Sequence, residues 1–186
     1  TNLLYSTSVN SVRQKTQAVI MQNLESIGFR IEIPQIDSTV FFDTTPGNEL
    51  SLQKMYFDIG MWASNPNTLI PVTWLGSWYS GPNDENHSQQ SNNWQANNVQ
   101  RWRNDDYDAA YEALRTAKSE EEAQELMWEM NDLTINEYAV IPLVQRPFQT
   151  AISHRLDVRN QAFEHGFTGY FWNIANWTLA EGVDPR

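Results

Sequence analysis

The feature that most constrains the fold is a strand–helix–strand pattern within residues 1–33. The first strand is the short apolar run Leu3–Ser6. Apolar or small residues then recur every three or four positions, the spacing of one helix face; they are Val12, Thr16, Val19, Ile20, Leu24 and Ile27. Residues 29–33 alternate apolar and other side chains, as in a strand. Because two strands joined by one helix pair in parallel with a right-handed crossover, the pattern predicts an α/β fold.

Residues with capping chemistry mark further element boundaries. Asn10 or Ser11 can cap the first helix, and Gly28 lies where a helix favours a left-handed residue. Ser119 begins a capping box, a serine followed by a glutamate three residues later. The other predicted elements are a short helix after Asp37, a helix capped by Asp105 or Asp106, and strands at Phe57–Trp62, Val140–Val144, Phe148–Ser153 and Tyr170–Ala175. Together these elements predict a single α/β domain over residues 1–186, with a mixed sheet flanked by helices.

The composition is that of a folded, acidic protein. Of 186 residues, 40% are apolar and 19% are charged, a balance typical of globular domains. The formal net charge of −11 argues against nucleic acid or an anionic membrane as a partner, because both would be repelled. The sequence contains no cysteine, which excludes disulfides, thiolate metal sites and a cysteine nucleophile.

No targeting or membrane-spanning segment is expected in this sequence. No stretch approaches the ~20 apolar residues that span a bilayer. Residues 1–5 carry neither the charged region nor the long apolar region of a signal peptide. We therefore expect either that a signal was removed or that the chain is a piece of a longer protein.

The sequence lacks the usual signatures of catalysis and metal binding. His87, His154 and His165 share no ligand spacing, and neither a phosphate-binding loop nor a nucleophile elbow is present. We therefore expect no catalytic residue, no metal and no cofactor. A pair of facing carboxylates, as in glycosidases, stays open because sequence alone does not place two carboxyl groups in space.

A long segment rich in tryptophan and asparagine, residues 68–102, shows no regular period. Near its end, amides alternate with aromatic rings and arginines: Asn92, Asn93, Trp94, Asn97, Asn98, Arg101, Trp102, Arg103 and Asn104. Amides donate and accept hydrogen bonds, rings stack, and arginine can clamp a carboxylate. This combination suits a polar small molecule. The alternative is a loop whose tryptophans pack inward without a ligand.

The order of these features resembles that of one known family. The chain contains, in order, LLYSTS, RQKTQAVIMQNLESIGFRIEI, FDIGMW, NNWQANNVQRWRNDDYDAAYEAL and IPLVQRP, followed by an aromatic-Asn-Ile ending. The series resembles the C-terminal lobe of family 5 extracellular solute-binding proteins of ABC importers, the oligopeptide- and dipeptide-binding type. The resemblance implies one lobe of a two-lobed periplasmic-binding-protein-like (type II) fold, with the N-terminal lobe and the signal outside this sequence.

The resemblance also implies candidate ligand-binding residues. In the peptide binders, the matching strand ends in a tryptophan beside the ligand, and Trp62 stands at that position. An aspartate three residues later takes the amino terminus of the peptide. Asn65 replaces it here, and an amide supplies no charge for an ammonium group. Asn65 would instead hydrogen-bond one end of the solute, and Arg101 would pair with a carboxylate. The segment that borders the pocket matches at Asn98, Arg101 and Trp102.

The function expected from the resemblance is transport without catalysis. Such a protein is a monomer, periplasmic or extracellular, either free or lipid-anchored through a segment outside this sequence. It captures a peptide or similar small polar solute by lobe closure and delivers it to ABC transporter permease subunits. Because Asn65 replaces the aspartate, a carbohydrate is the alternative solute. Two other classes stay open, an aromatic-cleft glycoside hydrolase domain and a structural domain whose aromatic rings point inward.

Overall fold

Strands and helices alternate in the first part of the chain, as the sequence predicts. The computed structural model of the protein describes residues 1–64, 71–145, 151–157 and 174–183. Its elements in chain order are β1 (Asn2–Ser6), α1 (Ser11–Ser26), β2 (Arg30–Glu32), α2 (Ser38–Phe41), β3 (Ile59–Gly60), α3 (Val72–Leu75), α4 (Asp105–Leu114), α5 (Glu120–Asn136), β4 (Leu156–Asp157) and β5 (Thr178–Leu179). None of the helices in these ranges has the length and apolarity that crossing a membrane requires.

The first three strands form one parallel sheet in the order β2-β1-β3, with β1 in the centre. Tyr5 of β1 pairs with Ile59 of β3 and is 1% exposed. Gln17 of α1 fastens the helix to the sheet, because its buried side-chain amide donates to the Tyr5 carbonyl at 2.9 Å. The predicted parallel pairing of the strands before and after α1 is confirmed. The third strand is shorter than predicted, because only Ile59 and Gly60 pair with β1.

Capping side chains set the ends of α1 and α5 as predicted. The Asn10 side chain accepts hydrogen bonds from first-turn N–H groups of α1, and Gly28 has a left-handed backbone (φ +97°) after its last turn. The Ser119 hydroxyl accepts a hydrogen bond from the Glu122 N–H at 3.1 Å. The Glu122 carboxylate accepts from the Lys118 N–H at 2.9 Å and not from that of Ser119, so half of the predicted capping box forms. These local interactions fix the first residue of both helices and the last turn of α1.

The cap of α4 corrects the prediction by one residue. Asn104, and neither Asp105 nor Asp106, accepts the capping hydrogen bond from the Tyr107 N–H at 2.8 Å. Both aspartates lie in the first turn, where the helix dipole favours negative charge. An asparagine with an extended backbone directly before the helix is therefore the cap.

Two clusters of buried side chains hold the elements together. The larger lies where α3, α4 and α5 pack, and it contains Leu75, Trp78, Tyr107, Ala110, Leu114, Ala123 and Met130. The predicted apolar face of α5 packs in or against this cluster. The smaller consists of Ile36, Phe41, Leu52 and Val99. We call it the sheet-side cluster, because Phe57 and Trp62, which flank β3, pack against it.

The packing face of α1 differs from the prediction. Thr16, Ile20 and Leu24 are half-buried. However, Val12, Val19 and Ile27 are 50%, 60% and 71% exposed, so their assignment to the buried face is wrong. The fully buried position of α1 is a glutamine, Gln17, because the helix meets the sheet through a hydrogen bond there.

The predicted C-terminal strands are also corrected. Residues 140–144 form no strand, and Ile141, Leu143 and Val144 are exposed. A strand needs a neighbour for its N–H and C=O groups, and Pro142 also lacks an N–H. The predicted strands at 148–153 and 170–175 lie partly outside the described residues, and their described ends are not strands. Instead β4 and β5 pair antiparallel, with Leu156 opposite Leu179.

Candidate functional site at the carboxyl edge of the sheet

The strand order reverses between β1 and β3. From β1 the chain passes to β2 on one side and later reaches β3 on the other. At the carboxyl ends of these two strands, the Met61 N–H donates to the Ser6 carbonyl at 3.0 Å. The Thr7 hydroxyl donates to the Met61 carbonyl at 2.6 Å. In open α/β sheets, ligands bind in the crevice outside the carboxyl ends at such a reversal. This edge is therefore the candidate functional site.

Trp62 leaves the sheet at this edge. Its indole is half-buried and packs against the sheet-side cluster, so part of the ring stays accessible to a solute. Gly60 makes this arrangement possible, because a Cβ there would lie 2.5 Å from Phe57 Cε2 and 3.1 Å from Trp62 Cζ3. The missing side chain thus allows two aromatic rings to approach the end of β3. The backbone and the core together hold Trp62 at the edge.

Gly60→Ala is expected to lower the free energy of unfolding by about 1–3 kcal/mol, the usual cost of overpacking. Phe57 or Trp62 must move to accept the added methyl group. Chemical denaturation followed by circular dichroism measures the effect. Gly47→Ala is the matched control, because no atom lies within 4 Å of a Cβ at Gly47. Equal stability of the two variants would contradict the packing argument.

The sequence prediction missed the polar residues at the end of β1. Ser6, Thr7 and Ser8 are no more than 3% exposed. The Ser8 hydroxyl accepts a hydrogen bond from Arg13 Nη2 at 2.8 Å, which places a half-buried guanidinium beside this edge. The signal that could have found them is their position, because residues directly after a parallel strand lie where ligands bind.

Asn98 lies inside the segment between α3 and α4, residues 76–104, which we call the amide-rich loop. Its side chain is 0% exposed, and its Nδ2 donates to the carbonyls of Trp78 at 3.2 Å and Trp102 at 2.7 Å. Its backbone N–H donates to the Asn86 carbonyl at 3.0 Å, and its carbonyl accepts from the Ser88 N–H at 3.0 Å. The side chain and backbone of Asn98 therefore connect three parts of the loop, at residue 78, at residues 86–88 and at residue 102.

Arg101 bridges two backbone segments. Its Nε donates to the Ser88 carbonyl at 2.8 Å, and its Nη2 donates to the Lys54 carbonyl. The guanidinium carbon lies 5.4 Å from the centre of the Trp94 ring. Desolvation by burial lowers the pKa of Arg101 from its ordinary value. These two carbonyls use part of the donor capacity of Arg101. Its pairing with a solute carboxylate stays a prediction.

Trp102 packs on the helices. Its half-buried ring meets Tyr107 edge to face at 5.2 Å, and its Nε1 donates to Glu137 Oε2 at 3.2 Å. Trp102, Arg101 and Asn98 thus belong to one hydrogen-bonded loop, which reaches the Trp62 side of the fold through Val99 in the sheet-side cluster. The fifth predicted residue, Asn65, lies outside the described residues.

An open cavity of about 500 Å³ lies between α3, α4 and the loop. Tyr79 and Tyr111 stack in its wall with ring centres 4.4 Å apart. Its lining consists of Val72, Thr73, Gly76, Tyr79, Glu85, Asn86, Asn97, Tyr111 and Arg115. It therefore has aromatic and amide walls, but the four predicted site residues that the structure describes do not line it.

Ionisable groups near this cavity form hydrogen bonds with other groups of the protein. The Asp108 carboxylate accepts a hydrogen bond from the Ser80 N–H at 2.9 Å, and burial raises its pKa. The Tyr79 hydroxyl donates to the Glu112 carboxylate, which raises the pKa of Tyr79 to about 12. Across the described ranges, no group of three or more His, Asp or Glu side chains is arranged to hold a metal ion.

A comparison with solved structures finds a similar fold. The chain aligns with the oligopeptide-binding protein from Thermus thermophilus in complex with a pentapeptide, at a TM-score of 0.60 and 22% identity over 73% of this chain. The two proteins share the fold. The predicted α/β class, with helices flanking the sheet as in part of a periplasmic-binding-protein fold, is thus confirmed. In place of one mixed sheet, the described strands form a parallel sheet, β2-β1-β3, and a separate antiparallel pair, β4-β5.

The aligned part is small relative to that structure, because the match covers 23% of its length. No protein-family model matches the sequence, and no curated protein sequence matches it. The comparisons therefore bear on the fold of this chain.

Proposed function

We propose that this chain is one lobe of a solute-binding protein that serves an ABC importer. The observation that carries the proposal is Trp62 at the strand reversal, in a fold shared with an oligopeptide-binding protein seen with a pentapeptide. Residues 1–186 would form the C-terminal lobe, and the other lobe would belong to a longer protein. The solute would be enclosed when the two lobes close about a hinge. Permease subunits in the membrane would then receive it.

The proposal gives each candidate residue a role. Trp62 packs on the solute, because its half-buried side chain contacts the sheet-side cluster and is not fully enclosed. Asn65 hydrogen-bonds one end of the solute, and Arg101 pairs with a carboxylate. Asn98 and Trp102 support the loop that borders the pocket, since their polar atoms bind other parts of the protein.

The proposed solute is a peptide or a similar small polar molecule. A carbohydrate is the second candidate, because Asn65 supplies an amide instead of the charge that a peptide ammonium needs, and sugars stack on tryptophan. We propose no catalytic step and no cofactor. The protein would act as a monomer outside the cytoplasm. A glycoside hydrolase would instead need two carboxyl groups facing each other about 5–9.5 Å apart.

Native mass spectrometry of the full-length protein tests the proposal. We expect a co-purified peptide or oligosaccharide that leaves on denaturation. Calorimetric titration with penta-alanine, its N-acetylated form and a cello-oligosaccharide then separates the solute classes. If Asn65 replaces a charge partner, acetylation should not weaken peptide binding. Absence of binding to every probe, or cleavage of a probe, would overturn the transport proposal.

The isolated 186-residue chain is expected to bind the same probe at least about a hundredfold more weakly than the full-length protein. One lobe supplies one wall of the pocket, so most of the contacts that offset the entropy of association are missing. Titration calorimetry on both proteins under the same buffer measures the ratio. Equal affinity of the two proteins would show that the chain does not need a second lobe.

A further inference from the structure

A second cavity lies between residues 46–56 and the amide-rich loop. Its volume is about 340 Å³, and its lining includes Glu49, Lys54, Tyr56, Asn93 and Trp94. Of the described residues assigned above to the solute, none belongs to this lining, although Arg101 contacts its Trp94 wall. The chemistry of the cavity therefore has to be explained separately.

Lys54 is a buried cation with spare hydrogen-bond donors. Its side chain is 4% exposed, and its ammonium pairs at 2.6 Å with Glu49 Oε1, whose side chain is 66% exposed. Within the described residues the ammonium makes this one hydrogen bond, whereas a lysine has three N–H donors. Buried charges are normally paired and fully hydrogen-bonded. Lys54 can therefore take a further acceptor that enters the cavity.

Aromatic rings and a second cation surround the ammonium. Lys54 Nζ lies 5.8 Å from the centre of the Tyr56 ring and 5.7 Å from that of Trp94. The two rings meet edge to face at 5.6 Å. The Arg101 guanidinium carbon lies 5.4 Å from the Trp94 ring. The charged residues of the lining are Lys54 and its partner Glu49, and Arg101 adds a second cation against the Trp94 ring.

Around the cavity, four residues have the left-handed backbone conformation that residues other than glycine rarely adopt. Met55, Asn93, Trp94 and Arg101 have φ values of +48°, +53°, +62° and +54°. Arg101 contributes to this geometry by donating to the Lys54 carbonyl. Such conformations persist where surrounding contacts over-determine them, and they cluster at binding sites. The aromatic walls and the lysine are thus fixed before any ligand enters.

We propose that this cavity binds a small carboxylic acid that carries a planar apolar group. The carboxylate accepts hydrogen bonds from Lys54 and competes there with Glu49. The planar group lies against Trp94 and Tyr56, which offer ring surface for an offset or edge contact. The site is additional to the one at the carboxyl edge of the sheet, and it does not depend on the proposed transport role.

Titration of the 186-residue chain with benzoate tests the proposal, with the assigned Trp94 indole N–H resonance as the reporter. Benzoate is expected to shift this resonance saturably. Benzamide has the same shape without the charge, and it should bind at least about tenfold more weakly, since a charge-assisted hydrogen bond is lost. Equal binding of the two compounds, or no saturable shift with benzoate, would overturn the proposal.

Two variants of the ion pair and one control variant separate a ligand site from a structural ion pair. Glu49→Gln removes the competing carboxylate, so benzoate should bind about two- to fivefold more tightly, the range of an exposed ion pair. Glu129→Gln makes the same charge change at an exposed position of α5 and should leave the affinity unchanged. Lys54→Met should weaken benzoate about ten- to a hundredfold. If Glu49→Gln and Glu129→Gln bind benzoate alike, Lys54 and Glu49 form only a structural pair and the proposal fails.

Discussion

Asn98→Ala is expected to lower the free energy of unfolding by about 2–4 kcal/mol. The amide Nδ2 donates to the carbonyls of Trp78 and Trp102 inside the loop, and the Asn98 side chain has no exposed surface. Truncation leaves the buried Trp78 carbonyl without its donor among the described residues, at a cost of about 1–3 kcal/mol. The Trp102 carbonyl loses its shortest hydrogen bond and keeps one from the Ser80 hydroxyl at 3.3 Å. Truncation also opens a small cavity. Urea denaturation followed by tryptophan fluorescence measures the change in midpoint.

The neighbouring Asn97→Ala is the matched control. Asn97 carries the same amide, but its side chain is exposed. Its removal should therefore change the free energy of unfolding by no more than about 0.5 kcal/mol, as is usual for surface substitutions. A loss at Asn97 as large as that at Asn98 would show that the loop responds to any substitution.

Asn98→Asp is a sharper variant than alanine, because it keeps the shape and removes the donor. An ionised carboxylate accepts hydrogen bonds only, so it would face the same carbonyls without any N–H to offer. We expect this variant to be less stable than Asn98→Ala at neutral pH. If it were as stable as the wild type, the hydrogen bonds from Asn98 Nδ2 to the loop carbonyls would contribute nothing to stability.

Trp62→Ala in the full-length protein is expected to weaken solute binding by about thirtyfold or more, the effect of losing an aromatic contact at the centre of a binding site. Titration calorimetry with the tightest-binding probe measures it. Trp62 also packs against the sheet-side cluster, so this variant should lose some stability as well. Trp62→Phe keeps part of that packing and therefore separates the two effects, because it should retain most of the stability and lose part of the affinity.

Trp128→Ala is the control for the loss of a tryptophan. Trp128 lies on α5 and is 60% exposed, so its removal should affect neither affinity nor stability appreciably. The role proposed for Trp62 predicts that affinity falls only in the Trp62 variants. If Trp62→Ala melts early but binds the probe as the wild type does, Trp62 belongs to the core alone.

The parts of the fold that could be predicted are those set by near neighbours in sequence. The caps at Asn10 and Ser119 each join groups two or three residues apart, and the apolar period of α5 matches its packing in the larger cluster. The prediction fails where a distant partner decides. Val140–Val144 has the composition of a strand, but no described strand pairs with it.

Only part of the candidate site could be predicted from the sequence. The end of the third predicted strand placed Trp62 at the carboxyl edge, where β1 and β3 meet. Sequence could not distinguish Asn98, which is enclosed, from Asn97, which lines a cavity. Both are asparagines in the same loop, and their difference comes from the carbonyls of residues 78 and 102.

The sequence by itself determined the long helices, the caps of α1 and α5 and the parallel strand–helix–strand unit, because hydrogen bonds and side-chain periods within a few residues specify them. Only the tertiary structure decided which polar side chains are enclosed and which cations contact the Trp94 ring. Lys54, Trp94 and Arg101 meet because left-handed turns bring distant segments together. Such contacts depend on how the chain closes its loops around the two clusters, and no local pattern encodes that closure.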